Sequence, residues 1–186
     1  MPREPGQKFR FEPLDKHAHD RAAFSCEHEA LNTYLKERAS QDVEKRMAAV
    51  YVLTSDGRTI AGYYTLSQYS IDPGQLPAEL QRKLPKYDKF PATLLGRLAR
   101  SKQFRGAGLG EMLLMGALRK ALELSRSIAS FAVVVDAKDR AAREFYLRYG
   151  FVDLPEHPNR LLMQMKTVEA LFVAAEQHPT SVDAEP

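Results

Sequence analysis

Gln103-Phe104-Arg105-Gly106-Ala107-Gly108-Leu109-Gly110 stands between a strand-like run and an apolar helical run. Upstream, Thr93-Leu94-Leu95-Gly96-Arg97-Leu98-Ala99 reads as a short buried strand, with Arg97 on the same face as Leu95 and Ala99. Downstream, Leu109, Met112, Leu113, Gly116, Ala117, Lys120 and Leu124 recur near the spacing of one helix face. The loop therefore opens onto a helix N-terminus. Glycines let a backbone take positive φ and approach a ligand closely, so successive N–H groups and the helix dipole can converge on an anion such as a pyrophosphate. Two phosphate-loop patterns fail here. The dinucleotide fingerprint needs a different glycine spacing, the first strand of a βαβ unit and an acidic residue about 20 positions on. A kinase-type P-loop needs Lys and then Ser or Thr after its last glycine, whereas Gly110 is followed by Glu111 and Met112. What is left is Gln/Arg-x-x-Gly-x-Gly/Ala, carried by Gln103, Gly106 and Gly108.

The flanking sequence predicts an α/β order. Phe9-Arg10-Phe11 reads as a first strand, and 29–46 as a helix carrying Leu31, Tyr34, Leu35, Arg38, Ala39 and Val43 on one face. Residues 48–53 and 59–67 read as strands of an antiparallel hairpin around the Asp56-Gly57 turn. Residues 73–91 form a proline-punctuated insert with a short helix led by Pro77. Phe131-Ala132-Val133-Val134-Val135 is a β-branched buried strand, followed by a helix through Tyr149 that Gly150 closes. A last strand over 161–166 and a helix around 168–176 complete the order. The expected domain is 9–176, with 1–8 and 177–186 as disordered ends.

The 186 residues are 44% hydrophobic, enough for one domain with a real core. No apolar stretch would span a bilayer, no secretory segment opens the sequence, and Cys26 is the single cysteine, so a reducing cytoplasm is expected. A cysteine beside apolar residues reads as core rather than as a nucleophile, and no metal cluster is expected. Charge is uneven along the chain. Between Gln81 and Arg126 eleven basic residues face three acidic ones, on a chain whose net charge is only +3. Lys102 and Arg105 suit phosphates, and the wider excess suits a phosphate-rich polymer. Tyr63, Tyr64 and Tyr149 read as packing, His157 as a solvated loop residue, and Glu111 as a complement to a helix N-terminus.

The glycine loop resembles the acetyl-CoA loop of the GNAT superfamily of N-acetyltransferases. Ala142, Phe145, Tyr146, Gly150 and Phe151 match a second GNAT pattern, Ala-x-x-Phe-Tyr-x-x-x-Gly-Phe. Phe24-Ser25-Cys26, Leu31-Asn32-x-Tyr34-Leu35, Ala61-Gly62-Tyr63-Tyr64-Thr65-Leu66, Pro77-x-x-Leu80, Leu84-Pro85 and Leu95-Gly96-Arg97-Leu98-Ala99 then look like the GNAT toxins of bacterial toxin–antitoxin pairs, over roughly residues 9–166. Two positions depart: Glu27 stands where the family has Gly, and Arg100 where it is usually apolar.

The resemblance implies a single-domain GNAT fold, a mixed central β-sheet flanked by helices. It implies acetyl-CoA as donor, held by Leu98, Ala99, Gln103, Arg105, Gly106, Ala107, Gly108, Leu109, Gly110 and Glu111. The backbone at the splayed strand end of Leu98 and Ala99 would polarise the thioester carbonyl, and Tyr146 would be the general acid. The implied acceptor is the α-amino group of aminoacyl-tRNA, with translation blocked as a result, a ribbon-helix-helix antitoxin as partner, and a homodimer. Arg82, Lys83, Lys86 and Arg97 are the candidate nucleic-acid contacts. An amine attacking a thioester must be neutral and the leaving thiolate needs a proton. A free α-amino group titrates near 8 and lower beside an ester, so a strong protein base is not required. Two alternatives stay open: a GNAT acting on a small amine or a protein N-terminus, and a non-catalytic CoA-binding module.

Overall fold

The computed structural model describes residues 8–155 and 157–177, so the two expected disordered ends lie almost wholly outside the described residues. Seven strands form one sheet: β1 (Arg10–Pro13), β2 (Ala49–Thr54), β3 (Gly62–Ile71), β4 (Phe90–Arg100), β5 (Ala132–Asp136), β6 (Val152–Leu154) and β7 (His157–Gln164). Their spatial order is β1-β2-β3-β4-β5-β7-β6. Only β4 and β5 pair in parallel; every other neighbour is antiparallel. The parallel pair is joined by the crossover helix α4 (Leu109–Ser125), which returns the chain to the same end of the sheet.

Both faces of the sheet are covered, which explains the unbroken apolar run of β5. Val133 and Val135 join the core beneath α4, α5 (Arg140–Arg148) and α6 (Met165–Gln177), while Ala132 and Val134 join a cluster on the opposite face. On that opposite face lie α1 (Glu29–Thr33), a π-helical turn over Tyr34–Arg38, α2 (Ala39–Glu44) and the insert with its short α3 (Ala78–Gln81). The strands alternate between the two cores: Val50, Val52 and Tyr63 pack toward α1, and Leu53 and Tyr64 toward α4. Helix α4 buries Leu109, Leu113 and Ala117 of the predicted face and also Leu114, Leu118 and Ala121, because it lies flat on the sheet, and Leu124 is left exposed. Gly116 permits that approach, since a Cβ there would sit 2.3 Å from the Phe11 ring.

Several expectations shift. The strand read as 93–99 runs from Phe90 to Arg100, so Phe90 and Pro91 leave the insert. The hairpin connection is longer than a tight Asp-Gly turn: the Asp56 carboxylate accepts from the Arg58 and Thr59 N–H groups and from the Thr54 and Thr59 hydroxyls. The last strand begins at His157, which is partnered by Gln75 at 3.0 Å rather than solvated, and edge strand β6 was not anticipated. Among the described residues, no helix is long and apolar enough to cross a membrane.

Candidate active site

The site begins where β4 and β5 part. They pair only over Ala92–Leu95 and Ala132–Val135, while β4 remains bonded to β3 through Arg100. The β5-side edge of residues 96–100 is therefore left without a strand neighbour. Just where they part the β3–β4 register slips: Leu66 faces Leu95, but Thr65 faces Arg97, so Gly96 is an extra residue. The bulge flips the alternation. Leu95 and Leu98 pack toward α4, whereas Ala99 packs toward α1. Arg97 consequently does not share a face with Leu95. Its guanidinium lies 3.5 Å over the ring of Tyr34 on the α1 side, and that stacking keeps a partly buried cation in place without a carboxylate.

Beyond β4 the chain makes the glycine loop. Ser101 accepts from the Gln103 N–H and caps a 3₁₀ turn over Lys102–Phe104, whose buried Phe104 meets Phe9 edge-on at 5.7 Å. Arg105 is exposed, Gly106 has φ +82, and Gly108 has φ +71 as the N-cap of α4. A Cβ at Gly106 or Gly108 would meet nothing within 4 Å, so these two residues leave an open cradle of backbone at a helix N-terminus. Gly110 differs from that expectation. It lies within the first turn of α4, and a Cβ there would lie 3.9 Å from the Phe145 ring. Ala107 and Leu109 face the core, leaving only their main chain for a ligand. Burial and the neighbouring Glu111 carboxylate, to which Tyr149 is hydrogen-bonded, raise the Tyr149 hydroxyl, so Glu111 is occupied within the protein.

A cleft of about 340 Å³, lined by Arg105 and Gly110 on either side of this cradle, runs along Leu98, Ala99 and Arg100 to α5, where Ala142 and Phe145 line it. Asp139 fixes α5 by accepting the Ala142 N–H at 2.8 Å, and Gly150, at φ +92, ends the segment. Tyr146 follows Phe145 into the buried cluster, its ring edge-on to Phe145 and Phe151 at 5.4 Å each. Burial pushes its hydroxyl up to about 12, so the phenol stays protonated at neutral pH. Tyr63 and Tyr64 are structural, donating to the carbonyls of Leu31 and Gly116. Cys26 is buried with its thiol raised by desolvation, the environment of a core residue rather than a nucleophile.

The N-terminal loop supplies the cleft's remaining wall, which the sequence reading did not assign. Asn32 staples the loop to α1, accepting the Cys26 N–H at 2.7 Å and donating to the Cys26 carbonyl and to Glu29. Glu27 pairs with Arg100 at 3.3 Å, so the two positions that depart from the family pattern meet. His28 lies 3.7 Å from Asp139. Of the basic excess, Lys89 pairs with Asp72 and Lys120 with Glu123. Arg82, Lys83 and Lys86 are exposed on the insert beside exposed Tyr87. They are remote in sequence from the glycine loop, and the cleft is lined without them.

The chemistry of this arrangement suits a thioester of CoA. The open cradle and Arg105 suit a diphosphate, and the freed strand edge offers main-chain groups to amides and to a carbonyl; Tyr146 is not among the residues that line the cleft, where its neighbour Phe145 stands. Residues 46–153 match the family model for the acetyltransferase (GNAT) domain. The chain is 31% identical over 169 residues to a probable toxin TacT of Sinorhizobium fredii (strain NBRC 101917 / NGR234), covering 87% of this chain and 93% of that one. It is 33% identical over 155 residues to a tRNA-acetylating toxin of Mycobacterium tuberculosis (strain ATCC 25618 / H37Rv), covering 83% and 92%. Among solved structures, a tyrosine-to-phenylalanine variant of KacT superposes with TM-score 0.83 at 35% identity, over 89% of this chain and all of that one. AtaT complexed with acetyl-methionyl-tRNAfMet superposes with TM-score 0.81 at 29% identity, over 89% and 99%. A variant of AtaT bound to acetyl-CoA and the C-terminus of the antitoxin AtaR gives 0.75 at 27%, over 89% and 99%. The parted strands, the glycine cradle and this likeness over most of both chains have one consequence: the chain belongs to the GNAT family of acetyltransferases.

Proposed function

We infer that this acetyl-CoA-dependent enzyme acetylates the α-amino group of aminoacyl-tRNA, and that it acts as a translation-blocking toxin held in check by an antitoxin. The likeness to AtaT in complex with acetyl-methionyl-tRNAfMet carries the reading, because it spans nearly the whole of both chains. The exposed basic insert supports it independently: three cations with no acidic residue between Gln81 and Tyr87 suit a polyanion better than a small amine.

In this reading Gly106 and Gly108 hold the diphosphate of the donor with Arg105, assisted by the main chain of Gln103, Ala107, Leu109 and Gly110. The main chain of Leu98 and Ala99 receives the thioester carbonyl, whose oxygen gains charge as the amine attacks. Tyr146 hydrogen-bonds the departing sulfur, and the amine's proton leaves to solvent. Arg82, Lys83, Lys86 and Arg97 meet the tRNA. The acetyltransferase domain is 9–176; the antitoxin is of the ribbon-helix-helix type, the enzyme is a homodimer, and it works in the cytoplasm, where its substrate is.

The test is acetylation of charged tRNA beside a panel of free amines and N-terminal peptides across a salt series. Activity on tRNA is expected to fall steeply with salt, since each neutralised phosphate releases counterions. Reversing Arg82, Lys83 and Lys86 to Glu together is expected to weaken tRNA binding without changing acetyl-CoA affinity. A salt-insensitive enzyme that prefers a free amine or a peptide would replace this acceptor with that one.

A further inference from the structure

Two cations stand on opposite lips of the parted strands with no acid to answer them. Leu95 and Val135 are the last pair that β4 and β5 make; Arg97 lies two residues beyond on one lip, and Lys138 three residues beyond on the other. Arg97 faces the α1 side, its guanidinium stacked on Tyr34. Lys138 turns to the same side: Val135 and Ala137 pack toward α4, while the Lys138 amine is near enough to Arg97, and to Cys26 in the core beneath α1, to be acted on by both. Partial burial lowers that amine, Arg97 pushing the same way and Cys26 and Asp139 opposing. The turn carrying it is fixed, since the Ala137 N–H donates to the Asn159 carbonyl at 2.7 Å. Both neighbouring carboxylates are engaged elsewhere. Asp136 holds Arg160 through its two oxygens at 2.6 and 3.0 Å, and Asp139 is divided between the Ala142 N–H and His28. Among the described residues neither Arg97 nor Lys138 forms an ion pair. Like charges held at one mouth repel, a standing cost that one bound anion removes. Stacking occupies a face of the Arg97 guanidinium and leaves its N–H edge for that anion.

We propose that Arg97 and Lys138 together bind the phosphodiester that joins the terminal ribose of the acceptor to the rest of its chain, and thereby place the α-amine at the thioester. The α4 side of the parting is filled by Leu98, Leu109 and Phe145, so an acceptor that reaches the strands from the other face passes between the two cations. The donor's diphosphate belongs to the Gly106–Gly108 cradle and Arg105, past the end of β4. The anion closest to the reacting amine of an aminoacyl-tRNA is that last phosphodiester, which Lys138 meets as a point charge and Arg97 with its N–H edge. Arg82, Lys83 and Lys86, on the insert, meet phosphates further from the reacting end. The inference rests on the aminoacyl-tRNA reading and assigns Lys138 to it.

The experiment compares two chemically charged tRNAs that differ at one linkage: the natural terminal phosphodiester, and an uncharged methylphosphonate in its place. With the wild-type enzyme the neutral linkage is expected to raise KM about tenfold or more, as for loss of hydrogen bonds to a charged group. Turnover at saturation is expected to stay within about threefold, because the contact is the same before and during transfer. Lys138→Met keeps the apolar stem and removes the charge. It is expected to raise KM for the natural tRNA and to lose most of the further penalty of the neutral linkage, the coupling that a direct contact requires. Lys138→Arg restores both. Calorimetry is expected to give the same acetyl-CoA affinity in all three proteins. Reversing Arg82, Lys83 and Lys86 to Glu is the control, weakening tRNA binding while the full linkage penalty remains. An equal penalty in the wild type and Lys138→Met, or none in the wild type, overturns the proposal and leaves the aminoacyl-tRNA reading standing. Weaker acetyl-CoA binding in Lys138→Met overturns it by moving the cation to the donor. A wild type that acetylates no charged tRNA, whichever linkage it carries, removes the acceptor reading and this inference with it.

Discussion

Replacing Tyr146 with Phe removes one hydroxyl and nothing else that the fold uses. The ring keeps its edge contacts with Phe145 and Phe151, both at 5.4 Å. Folding stability is expected to change by less than about 1 kcal/mol, because the lost hydroxyl takes its own desolvation cost with it. The effect on catalysis is worked from the proton. Burial pushes the phenol up to about 12, whereas a leaving thiolate resembles Cys near 8.5. In the proposed reading the hydroxyl, still protonated at neutral pH, gives its proton toward the sulfur as charge develops there. Such a contribution is worth about 10²–10⁴ in rate, or about 2.7–5.5 kcal/mol of barrier. Single-turnover transfer with pre-bound acetyl-CoA reads it directly, with calorimetry to show unchanged donor affinity. The phenol's pKa also implies that wild-type activity shows no tyrosine limb below about pH 10, and that the amine's own ascending limb is the same in both proteins. Tyr149→Phe is the control: its hydroxyl serves Glu111, and turnover is expected to stay within about threefold. Turnover near wild type in Tyr146→Phe, with the donor bound and the fold intact, would refute the argument and leave Tyr146 as packing.

Two further outcomes test the scaffold. Gly108→Asp places a carboxylate at the mouth of the cradle in a backbone conformation, φ +71, that costs an L-residue about 1–2 kcal/mol; the protein should stay folded by circular dichroism and lose acetyl-CoA binding by calorimetry, and retained affinity would remove the cradle from the donor site. Burial would raise the Asp56 carboxyl, but hydrogen bonds from Arg58, Thr59 and Thr54 outweigh it and hold it well below its usual range. A depressed folded pKa means stability that is full above the unfolded value near 3.9 and lost as pH falls through the folded one. Asp56→Ala is expected to cost about 1 kcal/mol at pH 7, modest because the loop is exposed, and progressively less in urea melts as the buffer is taken down through pH 4 and below; an equal cost at pH 7 and pH 2.5 would show that the charge is not what matters.

The elements that periodicity can report were legible: the β-branched run of β5, the crossover helix α4, the helix pattern closed at Gly150. What was not legible follows from where the determining contact lies. Reading Thr93 to Ala99 as an uninterrupted strand put Arg97 beside Leu95, because alternation is counted along one strand, whereas the bulge at Gly96 is a relation between two. An isolated glycine within an otherwise regular strand was the available signal. The loop's three glycines looked equivalent for a similar reason: the apolar spacing that starts at Leu109 did not say that Gly108 is the cap and Gly110 already helix, a distinction carried by φ alone. Edge strand β6 is three residues long, too short for any period, and exists through its partner β7. The cleft's N-terminal wall was the largest omission. Glu27 and Arg100 are 73 positions apart, and each alone was an oddity against the family pattern. Taken together they predict each other, since a charge introduced at the half-buried end of a strand is more readily tolerated where an opposite charge appears beside it. Two unexplained departures within one motif set are therefore better treated as one candidate contact than as two isolated defects, and here that contact lies on the wall of the site.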